Sequence, residues 1–180
     1  SFQPSFVSSM IFSITWNRNY GTFDRNAVFI RAQFEPGGTT LNFINPDIIT
    51  RQGLQYFKYL RFNFDFRQIR ILSSWATYAY RLNGGVAYSY GSDRSLPYEK
   101  YYFVGGSNSV RAWRPRRLGL GSVPPTRTTD ASVEGDPVSD GLFNYRLEKP
   151  GEILFEGSME LRSKLFGFVG GAIFLDAGNV

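Results

Sequence analysis

The side chains able to do chemistry in this sequence form a narrow set. Among 180 residues there are 15 carboxylates and 20 Lys or Arg, with no His and no Cys. Without imidazole or thiol, a Ser-His-Asp triad is excluded, as are a disulfide framework and a zinc site built on Cys or His. What remains is acid-base pairing. Glu152, Glu156 and Glu160 recur at even spacing, which on a strand places them on one face. Such a row could serve glycoside hydrolysis, but nothing in the sequence marks a substrate groove. Arg114, Arg116 and Arg117 form a basic run. Pro115 breaks any helix there, and no aromatic stacking platform accompanies it, so nucleic acid is not expected as a partner. Two short patterns remain: Gly105-Gly106 ahead of Val110-Arg111-Ala112-Trp113, and Phe174-Leu175-Asp176-Ala177-Gly178. Taken singly, Arg111 reads as a solvated loop arginine, the glycine pair as a turn and Asp176 as a turn residue.

The elements that must position these residues are strands. The 17 Phe and 11 Tyr against 2 Met favour strands over helices. Alternation with a period of two recurs along the chain. From Phe6 to Trp16 the apolar face is Phe6, Met10, Phe12, Ile14, Trp16. From Asn26 to Phe34 it is Val28, Ile30, Ala32, Phe34, and from Leu54 to Gln68 it is Leu60, Phe62, Phe64, Phe66. From Leu72 to Tyr90 the pattern is looser: Leu72, Ala76, Tyr78, Tyr80, Leu82 oppose Ser73, Trp75, Thr77, Arg81. Ile153, Phe155, Met159, Leu161 and then Val169, Ile173, Leu175 complete the series. Successive side chains point to opposite faces of a strand, so each segment is a ribbon with one oily and one polar or mixed face.

A soluble sandwich alternates in this way, and so does a transmembrane barrel. Three features favour the barrel. The segments reach the roughly 9–11 residues that a tilted strand needs to cross a bilayer. Trp16, Tyr20, Trp75, Tyr88 and Tyr90 stand towards segment ends, where interfacial girdles belong. Long connections (Pro36–Gly53, Gly91–Gly151) alternate with short ones near Arg18–Asp24, Arg67–Leu72 and Ser163–Gly167. No window approaches 18 apolar residues, so no transmembrane helix is expected. The expected class is therefore all-β: about six strands of a larger transmembrane antiparallel barrel, with residues 91–150 as a long external loop. Six strands are too few to close a membrane barrel, so these residues are expected to be an internal part of a longer polypeptide. Ser122–Asp140 is the only linker-like stretch, and Asn45-Pro46-Asp47 reads as a loop turn.

The paired patterns resemble those of the outer-membrane protein insertase superfamily, the BamA/TamA type also called bacterial surface antigens. Its mark is Gly-Gly followed by Val-Arg-Gly-Phe/Tyr in the sixth external loop, then Phe-x-Asp-x-Gly on the second strand after it. Phe174 to Gly178 matches fully; in the loop motif Ala112 stands for the usual Gly and Trp113 for Phe or Tyr. The extended form Asn-Ser-Val-Arg-Ala-Trp with Arg-x-Leu-Gly is similar to the TamA-like branch of Bacteroidetes-type bacteria. The resemblance covers Leu96 to Val180 and rests on strand rhythm alone before Tyr90. It implies that the 91–150 loop folds back into the lumen and that Arg111 pairs there with Glu160 and Asp176, a contact worth about 1–3 kcal/mol. The residues agree, since both carboxylates lie on the less lipid-like face and would need a partner. The resemblance further implies a bacterial outer-membrane location, with lipids, unfolded client proteins and periplasmic or inner-membrane subunits as partners. It implies assembly or export without ATP, without catalysis, and with neither cofactor nor metal. A secretion pore of the same superfamily and a soluble all-β binding module are the rival expectations. A barrel phospholipase is disfavoured because its usual triad needs His.

Overall fold

The computed structural model describes residues 5–21, 26–38, 55–90, 95–118, 148 and 150–180. It contains β1 (Ser5–Phe6), β2 (Phe12–Arg18), β3 (Ala27–Gly37), β4 (Gln55–Tyr56), β5 (Tyr59–Ile71), β6 (Ala76–Ser89), β7 (Ile153–Phe166) and β8 (Val169–Asn179). Six of these form one open antiparallel sheet in the order β2-β3-β5-β6-β7-β8. Every neighbour in it is also the next long strand in sequence, which is the up-and-down order of a barrel wall. The architecture is all-β and a partial barrel. The sequence gives no sign of the short parallel pair β1-β4 beside it.

The two faces separate as the alternation requires. Ile14 is 78% exposed, Ile173 77% and Leu175 67%. Phe62, Phe64, Phe155 and Met159 are exposed with them. Among the described residues no second sheet covers this oily face, so a sandwich core does not account for it. The opposite face holds the carboxylates of the strands, with Glu35, Asp65 and Glu156 all buried. The apolar cluster also lies on that side. There Leu96, Tyr102, Val104 and Val110 of the 95–118 segment pack with Tyr59, Ala87, Leu154 and Val180.

Several strand ends move from their expected places. β5 runs through the expected Arg67–Leu72 turn to Ile71, and the reversal is made by Leu72–Trp75. Arg67 does not break the strand, because its side chain stays on the polar face and pairs with Asp65 two residues back. β7 continues past Arg162 to Phe166, with a bulge between Lys164 and Phe166. The turn then falls at Gly167, whose φ of 56° suits glycine. Tyr20 leaves the expected aromatic girdle for the polar side, its ring 5.4 Å from that of Phe29. Of the 91–150 loop, residues 95–118, 148 and 150 are described; Ser122–Asp140 and the Asn45-Pro46-Asp47 turn lie outside the described residues.

Candidate functional site

The register of β7 on β8 creates a problem of like charge. Glu160 lies opposite Phe174, and Asp176 opposite Ser158. Glu160 and Asp176 are thus diagonal neighbours on the polar face, close enough to repel. Arg111 occupies the space between them. Its Nε donates to Asp176 Oδ2 at 2.8 Å and its Nη2 to Oδ1 at 2.9 Å, a bidentate fork. The Arg111 backbone N–H donates to Asp176 Oδ2 as well, at 3.2 Å, and Nη1 reaches Glu160 Oε2 at 3.2 Å. Arg162 Nε supplies the other Glu160 oxygen at 2.6 Å. The guanidinium lies 3.6 Å above the Phe174 ring, a cation–π contact. Hydrogen bonding to Asp176 raises the Arg111 pKa above its ordinary value, against the opposing effect of burial.

The remaining motif positions hold the loop that delivers Arg111. Val110 is buried, and a Cβ added at Gly178 would lie 3.0 Å from its Cγ2, so glycine there leaves room for the loop. Gly105 and Gly106 take φ of 115° and 100°, in the left-handed region that favours glycine. A Cβ at Gly105 would also strike the Arg114 carbonyl. The Gly106 N–H donates to the Trp113 carbonyl at 2.9 Å and the Trp113 N–H to the Val110 carbonyl at 3.1 Å, closing a compact turn. Ala112 is not among the positive-φ residues, so alanine fits where the family pattern has glycine. Trp113 contributes backbone to this turn, while the residue as a whole is 41% exposed.

Sequence reasoning missed a wider network on the same face. Ser109 donates to Glu156, which also accepts from Asn83 Nδ2 at 2.9 Å and pairs with Arg81 at 3.1 Å. Arg81 in turn holds the Asn108 carbonyl. The base of the loop is seated separately. Lys100 Nζ lies 2.7 Å from Glu35 Oε1, an acid that also accepts from Ser9 and Tyr59. Burial pushes Lys100 down, but Glu35 outweighs it and holds the ammonium above its ordinary pKa. Tyr102 donates to the Phe62 carbonyl at 2.7 Å, and Arg61 lies 4.5 Å over its ring. That ring fills the space a side chain at Gly85 would take. Glycine inside a strand often marks such a close approach, so Gly84-Gly85 was the available signal. The carboxylate row does not form a free catalytic pair, since Glu156 and Glu160 are each bound by arginine and Glu152 lies exposed before β7. Of the basic run, Arg116 pairs with Glu148 and stacks on Phe103, apart from Arg111.

Residues 3–180 match the family model of the Omp85 superfamily domain. The chain belongs to the Omp85 superfamily. The match reaches back through the N-terminal half, where sequence patterns alone offered only strand rhythm. No curated protein matches the sequence. Omp85 superfamily members are bacterial outer-membrane proteins of assembly or translocation, which work without catalysis alongside client proteins and partner subunits. The open sheet of this Omp85 domain is one part of such a barrel wall.

Proposed function

We propose that this chain is the loop-holding part of an outer-membrane barrel that inserts or exports other β-barrel or surface proteins, in the manner of the TamA-like branch of Bacteroidetes-type bacteria. In this reading the 91–150 loop folds into the lumen, and Arg111, Glu160 and Asp176 lock it there. Gly105, Gly106, Val110, Ala112 and Trp113 shape the loop, while Phe174 and Gly178 form its seat. The observation that carries the reading is the Arg111 fork on Asp176 above Phe174. It joins the two sequence motifs in one contact. The mechanism is non-enzymatic and uses neither ATP nor cofactor. The barrel seam opens elsewhere in the protein, the nearby bilayer thins, and a client strand pairs with the exposed edge, where unpaired N–H and C=O groups act as a template. The lock keeps the wall in register while the seam works.

The test is Arg111→Glu in the cells that make this protein. Reversed charge beside two carboxylates should expel the loop, lowering client outer-membrane proteins while folded barrel is still present. Wild-type client levels would count against the lock. Loss confined to one secreted partner would favour the secretion-pore reading instead. Paired cysteines at 111 and 160 should also crosslink in intact membranes.

A further inference from the structure

The oily face of the sheet carries a charge pattern that its role as a lipid-facing surface does not require. Following the register, this face comprises the even-numbered positions of β2, β3, β5 and β6 and the odd-numbered ones of β7 and β8. Across all six strands it holds no Asp, Glu or Lys. It holds two arginines, Arg18 at the end of β2 and Arg70 near the end of β5, both exposed. Both stand at the same end of the wall, the end of the short turns. Neither has a carboxylate partner among the described residues, whereas arginines of the polar face such as Arg61, Arg67, Arg81 and Arg111 are each paired.

Aromatic and amide groups connect the two. Arg18 faces Val28, Val28 faces Gln68, and Gln68 faces Tyr80, while Arg70 faces Tyr78. Two strand spacings across and two residues along place the arginine Cα atoms about 12 Å apart. The Tyr80 hydroxyl donates to Gln68 Oε1, which leaves the Gln68 amide N–H groups available as donors. The Tyr78 and Tyr80 rings lie 5.8 Å apart beneath this row. An aliphatic stem on oil with a guanidinium at its edge is the arrangement of an arginine reaching a membrane interface. The planar guanidinium is matched to phosphate. Among the described residues, no carboxylate on this face would meet the ammonium of a zwitterionic headgroup.

We infer that Arg18 and Arg70, with Gln68, Tyr78 and Tyr80, form a binding surface for the phosphodiester of an anionic phospholipid in the leaflet at the short-turn end. The inference rests on the membrane reading of the oily face and is independent of the loop lock. It makes the wall selective for the lipid beside it, with an enrichment of about fivefold for each arginine.

The experiment reconstitutes the full-length protein in nanodiscs of mixed phosphatidylglycerol and phosphatidylcholine, with acyl-chain bromine on one lipid at a time. Quenching of Trp16 and Trp75 fluorescence reports which lipid is adjacent. Wild type should be quenched several-fold more efficiently by brominated phosphatidylglycerol than by brominated phosphatidylcholine at equal mole fraction. Arg18→Gln and Arg70→Gln should each reduce that preference, and the double variant should abolish it. Arg31→Gln, the same charge change on the opposite face, should leave it intact. Equal quenching by the two lipids in wild type, or an unchanged preference in the double variant, overturns the proposal. Quenching by neither lipid overturns it together with the membrane reading.

Discussion

Asp176 and Glu160 both touch Arg111, yet the structure makes them unequal. Asp176 takes three of the four hydrogen bonds that Arg111 donates to the wall, and its side chain is 5% exposed. Glu160 takes the fourth, is 21% exposed and is shared with Arg162. Breaking a buried pair costs about 3–5 kcal/mol because the remaining charge is left uncompensated. Arg111 is 28% exposed, so water recovers part of this and about 2–3 kcal/mol is expected for Asp176→Asn. Glu160→Gln should cost about 0.5–1 kcal/mol, since Asp176 still satisfies the guanidinium. Val110, buried against Gly178, provides the reporter. The chain has no Cys, so Val110→Cys introduces a thiol that reacts when the loop lifts. Its labelling rate in the purified barrel should rise roughly 30- to 150-fold with Asp176→Asn and roughly two- to fivefold with Glu160→Gln. Equal effects, or a rise below threefold with Asp176→Asn, would refute the view that the fork on Asp176 holds the loop.

The base of the loop makes its own demands. Gly85→Ala places a methyl group in the Tyr102 ring and should cost about 1–3 kcal/mol, read as a lower temperature of heat-modified gel migration. In a Tyr102→Leu background the cost should fall by half or more, and an undiminished cost would show that Gly85 serves some other purpose. Glu35→Ala strips Lys100, Arg61, Ser9 and Tyr59 of their shared acceptor. It should destabilise the barrel by about 2–3 kcal/mol, measured by the same gel assay, and a loss under 1 kcal/mol would remove Glu35 from this role. Beyond the strands, the Tyr98 hydroxyl donates to Glu148 and holds its carboxyl below the ordinary 4.5. A depressed acid stabilises the folded loop above its unfolded value and loses that contribution as pH falls through the folded one. A carbon-13 titration of Glu148 should therefore show a midpoint below 4.5, and one at or above 4.5 would show that the contact does not form.

The faces of the wall were legible in the sequence because side-chain direction along a strand is a local property with a fixed period of two. Once Phe62, Phe64 and Phe66 alternate with Asn63, Asp65 and Arg67, their separation follows in any register that keeps one face in oil. Strand ends were less legible. Arg67 stood in an expected turn, but it pairs with Asp65 two residues back on its own strand and so stays within it.

Arg111 and Asp176 stood in the motifs and Glu160 was implied by the family resemblance, but their arrangement depends on pairing between strands. Only the β7-β8 register sets Phe174 opposite Glu160 and Asp176 on the diagonal, and so fixes which acid takes the fork. Gly84-Gly85 marked a close approach but not its partner Tyr102, and the contact of Lys100 with Glu35 left no spacing to read. Both contacts join residues far apart in sequence through the path of the loop across the sheet. What the sequence determined is the periodic chemistry of each strand; the tertiary structure decided which distant side chains meet, because that depends on register and on the path of the loop.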